Sequence, residues 1–119
     1  MGVTYVDMVV KKSARSTRSH KVECLVDSGA HYSAIPRKTL KRLGIRPDTK
    51  ESFILADGSR IERELGTAYF EFRGRVGSSM VIFGEEGDAT LLGILTLEAL
   101  GLMLDPLKRE LRQLPLLLM

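Results

Sequence analysis

Apolar and polar residues along this chain exchange places at a period near two, in short runs broken by glycine. Residues 3–10 alternate loosely and are rich in Val, Thr and Tyr, and Val22-Glu23-Cys24-Leu25-Val26 alternates more regularly. Both patterns predict half-buried strands. Further strands are expected at 53–55, 61–72, 76–83 and 102–104, the last closed by Asp105-Pro106. Gly66 inside the long strand reads as a bulge or bend, and Gly74 turns the chain. Asp57-Gly58 between two apolar runs predicts a hairpin with a type I′ turn. Residues 36–44 predict a short helix, with Pro36 in its first turn and Gly44 just past its end. A second short helix follows the apolar run Ala89-Thr90-Leu91-Leu92-Gly93, with Thr96 as N-cap and Gly101 at C′. Many short strands with turns between them predict an all-β fold, closed or sandwich-like, with one or two short helices.

Length and composition narrow this picture. A chain of 119 residues is expected to form one domain, residues 1–119, with a modest core. No run of 18 apolar residues is present, which excludes a membrane-spanning helix. The first residues lack a basic stretch and carry Asp7 among apolar neighbours, so no signal peptide is expected. Cys24 is the sole cysteine. It cannot form an intrachain disulfide, reads as a small buried hydrophobe, and points to a reducing, cytoplasmic setting. The formal net charge is +3, and its placement is uneven. Between Asp7 and Glu23 no acid occurs, while Lys11, Lys12, Arg15, Arg18 and Lys21 do, with His20. Without those five bases the chain is slightly acidic. The stretch lacks aromatic residues for base stacking, so it reads as a solvated connector and not as a nucleic-acid site. The two histidines have no cysteine or acidic spacing around them that would suit a metal.

The chemistry centres on Asp27-Ser28-Gly29-Ala30, delivered at the end of the 22–26 strand. Asp-Ser-Gly is ordinary turn chemistry, since Asp and Ser side chains bond nearby amides and Gly relieves the backbone. A carboxylate at the end of an apolar strand also suits a catalytic turn. What separates the two is the second apolar run ending at Gly93, followed by its short helix, with a hairpin signal between the two motifs.

Apolar-apolar-Asp-Ser-Gly-Ala, a hairpin, then apolar-apolar-Gly before a helix resembles the retroviral-type aspartic proteases, the retropepsins, and most of all their stand-alone prokaryotic relatives. The likeness runs from about residue 3 to residue 111. It implies an acid-protease barrel with one lobe per chain, and hydrolysis of peptide bonds by water held between two carboxylates. One carboxylate is ionised and takes the proton of the water; the other is protonated and donates to the carbonyl oxygen. Only one such motif is present, so the resemblance implies a homodimer in which Asp27 of each subunit meets its copy on a two-fold axis. It assigns Asp27 as catalytic, the Ser28 hydroxyl as a brace, and Gly29 as the point where substrate backbone approaches. Ala56, Asp57 and Gly58 correspond to a flap over bound polypeptide; Ala30, His31 and Leu91 fall at substrate-binding positions. No cofactor, metal or membrane is implied. Two positions depart from the pattern: His31 stands where an acid is usual, and Ile94 where Arg is usual. His31 either contacts substrate or is satisfied by a nearby carbonyl. The alternative reading is an inactive module that kept the fold for binding or dimerisation.

Overall fold

The computed structural model describes residues 3–115. In chain order the elements are β1 (Tyr5–Lys11), β2 (Ser19–Val26), β3 (Ser33–Pro36), α1 (Arg37–Arg42), β4 (Thr49–Ile54), β5 (Arg60–Phe72), β6 (Arg75–Gly84), β7 (Leu91–Leu92), α2 (Ile94–Leu100), β8 (Leu102–Asp105) and β9 (Glu110–Gln113). Seven strands form one sheet in the order β1-β2-β7-β3-β6-β5-β4, and β8 pairs with β9 in a separate hairpin.

The period-two pattern is what buries the sheet. Met8 and Val10 on β1 face inward with Val22, Cys24 and Val26 on β2, while the residues between them stay wetter. The core continues through Ile35, Leu40, Phe70, Phe83, Leu97 and Leu100. Burial, and then the charges of Asp7 and Glu23, push the Cys24 thiol up to about 12, so it is held as an unreactive thiol.

The mostly-β class with two short helices agrees with the sequence, and one lobe is built per chain. The barrel is corrected. β1 does pair with β5 through Val9, Val10 and Lys11, which curls the sheet back on itself. The remaining circuit passes through β7, which is two residues long and meets β3 only at Ala34–Leu91 among the described residues. The result is a strongly curled sheet and not a regularly closed barrel.

Three local expectations are also corrected. Gly66 makes no bulge: the β5–β6 register runs unbroken from Leu65–Ile82 to Phe72–Arg75. Glycine is required there because a Cβ would lie 2.8 Å from the Arg46 carbonyl oxygen and 2.9 Å from the Phe83 ring. The type I′ turn occurs at Arg73-Gly74, where both residues have positive φ. At the 56–58 turn only Gly58 does, at 86°, giving a three-residue hairpin loop with glycine in the left-handed region. Thr96 is not the N-cap of α2; Gly93 is.

Candidate active site: two interlocked loops around Asp27

Asp27 sits just past the end of β2, at the last bond that this strand makes to β7. Leu25 and Val26 pair in parallel with Leu91 and Leu92, and the Asp27 N–H donates to the Leu92 carbonyl at 3.0 Å. The turn that follows is held by its own acid. Asp27 Oδ1 accepts the Gly29 N–H at 3.0 Å, and the Asp27 carbonyl accepts the Ala30 N–H at 3.1 Å. A side chain at position 29 would bring its Cβ to 3.3 Å from that carboxylate oxygen, so glycine leaves the carboxylate uncrowded. Asp27 is half-buried, whereas Ser28 and Gly29 are exposed.

The start of α2 locks this turn from behind. A helix begins with N–H groups that have no partner within the helix. Here no side chain caps them; the Ala30 and His31 carbonyls accept from Ile94 and Leu95 at 2.8 and 3.1 Å. Gly93 makes that approach possible, since a Cβ there would fall 2.6 Å from the Tyr32 carbonyl group. Ile94, at the position where the family usually has Arg, therefore joins the turn through its backbone.

Behind the two loops lies a hydroxyl network that the sequence did not reveal. Ser33 Oγ accepts the Gly93 N–H at 2.9 Å and lies 2.6 Å from Thr96 Oγ1. Thr96 Oγ1 is in turn 2.8 Å from Ser79 Oγ on β6. Ser33 and Thr96 are fully buried. The available signal was a lone hydroxyl residue within each of two apolar stretches; read locally, such residues suggest caps and turns.

The other expected site residues divide into two groups. Ala30, His31 and Leu91 belong to the interlocked loops. Leu91 is half-buried and pairs with both Leu25 and Ala34. His31 is exposed, with its ring edge-on to Tyr32 at 6.0 Å between centroids. Ala56, Asp57 and Gly58 form an exposed turn at the tip of the β4–β5 hairpin. Asp57 Oδ1 accepts both the Ser59 hydroxyl and the Ser59 N–H, at 2.6 and 2.9 Å, and these bonds hold its carboxyl below the usual carboxylate range. This turn lines neither of the two clefts beside the Asp27 loop. One cleft, of about 560 Å³, is walled by Val3, Thr4, Leu25, Val26 and Asp27 on one side and by Leu104, Pro106, Leu107 and Arg109 on the other. The second, of about 370 Å³, reaches Ser28 and is lined mainly by apolar residues, Leu97, Leu102, Met103 and Leu114 among them. The β8–β9 hairpin, of which only the first strand was expected, stands between them. Val3, Tyr5 and Leu107 are well exposed here, Leu107 at 93%. Among the described residues no group of three or more His, Cys, Asp or Glu is arranged to hold a metal, and no helix is long and apolar enough to cross a membrane.

Comparison with known proteins gives matches of two kinds. Residues 16–99 match the family described as "gag-polyprotein putative aspartyl protease". The fold matches the solution structure of the simian foamy virus (mac) protease with a TM-score of 0.52 at 18% identity, over 78% of this chain and 92% of that one. At that identity the likeness establishes a shared fold. A comparison with curated proteins finds no match.

Proposed function

Given that this chain belongs to the retroviral-type aspartyl protease family, we propose that it is an aspartic endopeptidase whose site is completed by a second copy of itself. The observation that carries this reading is the Asp27 turn. One carboxylate is held by backbone bonds at the end of a strand and opens onto a cleft beside exposed apolar surface. A single carboxylate lacks the partner that this reaction requires, and like-for-like pairing across a two-fold axis supplies it.

In the dimer, two Asp27 carboxylates in contact hold one proton between them, because two adjacent negative charges repel strongly. The ionised member takes a proton from water as the water attacks the peptide carbonyl carbon, and the protonated member donates to the carbonyl oxygen. Breakdown of the tetrahedral species returns a proton to the leaving nitrogen. Ser28 braces the two turns, Gly29 leaves room for an extended polypeptide, and the Ala56-Asp57-Gly58 turn closes over it. The buried, sole Cys24 suits a reducing compartment such as the cytoplasm.

The test is Asp27→Asn, which keeps the shape and removes the base. Cleavage of a peptide substrate should fall by about 10²–10⁴-fold, with thermal unfolding near that of the parent. Undiminished cleavage by the pure variant overturns the assignment of Asp27.

A further inference from the structure

We propose that Tyr32 and Phe53 form an aromatic clasp that holds the β4–β5 hairpin against the catalytic loop, making both of them positioning residues for a polypeptide bound between the two. This inference rests on the reading of the site just given. The Tyr32 and Phe53 rings meet edge to face, with centroids 6.1 Å apart and planes at 86°, within the favourable range for an aromatic pair.

Two further observations make this contact matter. The first is how little else restrains β4. It is the last strand of the sheet, and among the described residues it pairs with β5 alone, from Thr49–Leu65 to Ile54–Arg60. Five of its six residues are exposed, and the one that is not is Phe53. An edge strand with one covered side chain is the kind of element that opens locally at low cost. The second is how firmly Tyr32 is fixed. Its backbone carbonyl packs against Gly93 with no room for a Cβ. The residue before it bonds α2, and the residue after it is tied to Thr96. A rigid post thus meets the only covered residue of a loosely held arm. Among the described residues the Tyr32 hydroxyl has no hydrogen-bond partner, so the ring, and not its polar end, is what the clasp requires. Leu55, two residues beyond Phe53 and so on the same face of an extended chain, presents an exposed apolar side chain at 43%, which the clasp would hold on the side of the arm that Phe53 faces.

Amide hydrogen exchange of residues 49–59 tests this without any substrate. In Phe53→Ala or Tyr32→Ala, opening of the hairpin should become about three- to tenfold more frequent, the worth of one aromatic pair. The double variant should go no further than either single one, and Tyr32→Phe should behave like the parent. Phe53→Leu, which keeps most of the volume, should fall between. Unchanged protection of the β5–β6 ladder shows that the variants are folded. With a cleavable peptide, KM should rise by a similar factor while kcat changes less. Unchanged exchange at 49–59 in both alanine variants, or effects of the two that simply add, overturns the clasp. A protein that cleaves nothing still reports on its hairpin by exchange, so the failure of the peptidase reading and the failure of the clasp give different results.

Discussion

Thr96 has its hydroxyl in a place that water does not reach, and two serines from distant parts of the chain satisfy it. A buried hydroxyl that loses its partner costs more than the bond itself is worth, because nothing replaces it. Thr96→Val should therefore lower stability by about 1–3 kcal/mol in urea unfolding. Thr96→Ser, which keeps the oxygen, should stay close to the parent. The same logic explains why Ser33 matters although it touches no cleft. It takes the Gly93 N–H and so fixes the loop that carries the Ala30 and His31 carbonyls. Position 31 shows the opposite case. His31 is exposed and its carbonyl, not its ring, holds α2, so its substitution is expected to disturb the architecture little.

Turns and loops decide how the elements move. The 56–58 turn has open space around Gly58, with nothing within 4 Å of a Cβ placed there. Its cost of substitution is then conformational: φ of 86° is poor for any side chain and worst for a β-branched one. Gly58→Val should reduce turnover of a peptide several-fold while lowering stability by about 1–2 kcal/mol; equal kinetics would mark the hairpin as a plain surface turn. The loop after β6 is held by charge. Arg63 bonds Asp88 at 2.7 and 2.9 Å, and this pairing holds the Asp88 carboxyl below the usual carboxylate range. Arg37 does the same for Glu85, with its closest contact at 2.6 Å. The folded state thus binds fewer protons than the unfolded one. The stability involved is complete above the unfolded carboxylate value of about 4 and is lost as pH falls through the lower folded value. Arg63→Gln should be less stable than the parent at pH 7, by about 1 kcal/mol for a half-buried pair that solvent still screens. The gap should narrow as pH falls below the usual carboxylate range, where the carboxylate is protonated first in the unfolded state and then in the folded one; comparing urea midpoints at neutral and strongly acid pH checks this.

At the scale of the whole molecule, what matters is the face around Asp27. The proposed dimer brings that face together with its own copy, and the β8–β9 hairpin tip with Leu107 lies at its rim. Leu114 lines the neighbouring cleft, and the apolar residues 116–119 that follow it lie outside the described residues. Two measurements follow. Sedimentation should show a monomer–dimer equilibrium, shifted at least tenfold toward monomer by Leu107→Lys, since a charge would be buried without a partner. Excess Asp27→Asn added to the parent should suppress cleavage as subunits exchange, because each mixed dimer holds one competent carboxyl. Activity that tracks only the amount of parent chain would mean that each subunit works alone. The 12–18 loop is exposed except at Ser16, and Lys11 is paired with Glu71 at 2.7 Å, in keeping with a connector.

By itself the sequence determined the strand class, the positions of most strands, both helices and the Asp27 turn. These depend on period, on glycine and proline, and on side chains acting on their own backbone, all of which are local. It also marked the two motifs that carry the family, because each is contiguous. Tertiary structure decided what depends on contacts between residues far apart in the chain. Gly66 looked like a bulge until the Arg46 carbonyl and the Phe83 ring were seen to press on it. Thr96 looked like a cap because its partners, Ser33 and Ser79, stand 63 and 17 residues away. β9 and the two-sided setting of the β8–β9 hairpin were hidden for the same reason, as was the Tyr32–Phe53 contact. A pattern of polar and apolar positions states which face of an element is buried, whereas the partner on the other side of that face is chosen only when the sheet curls and brings it there.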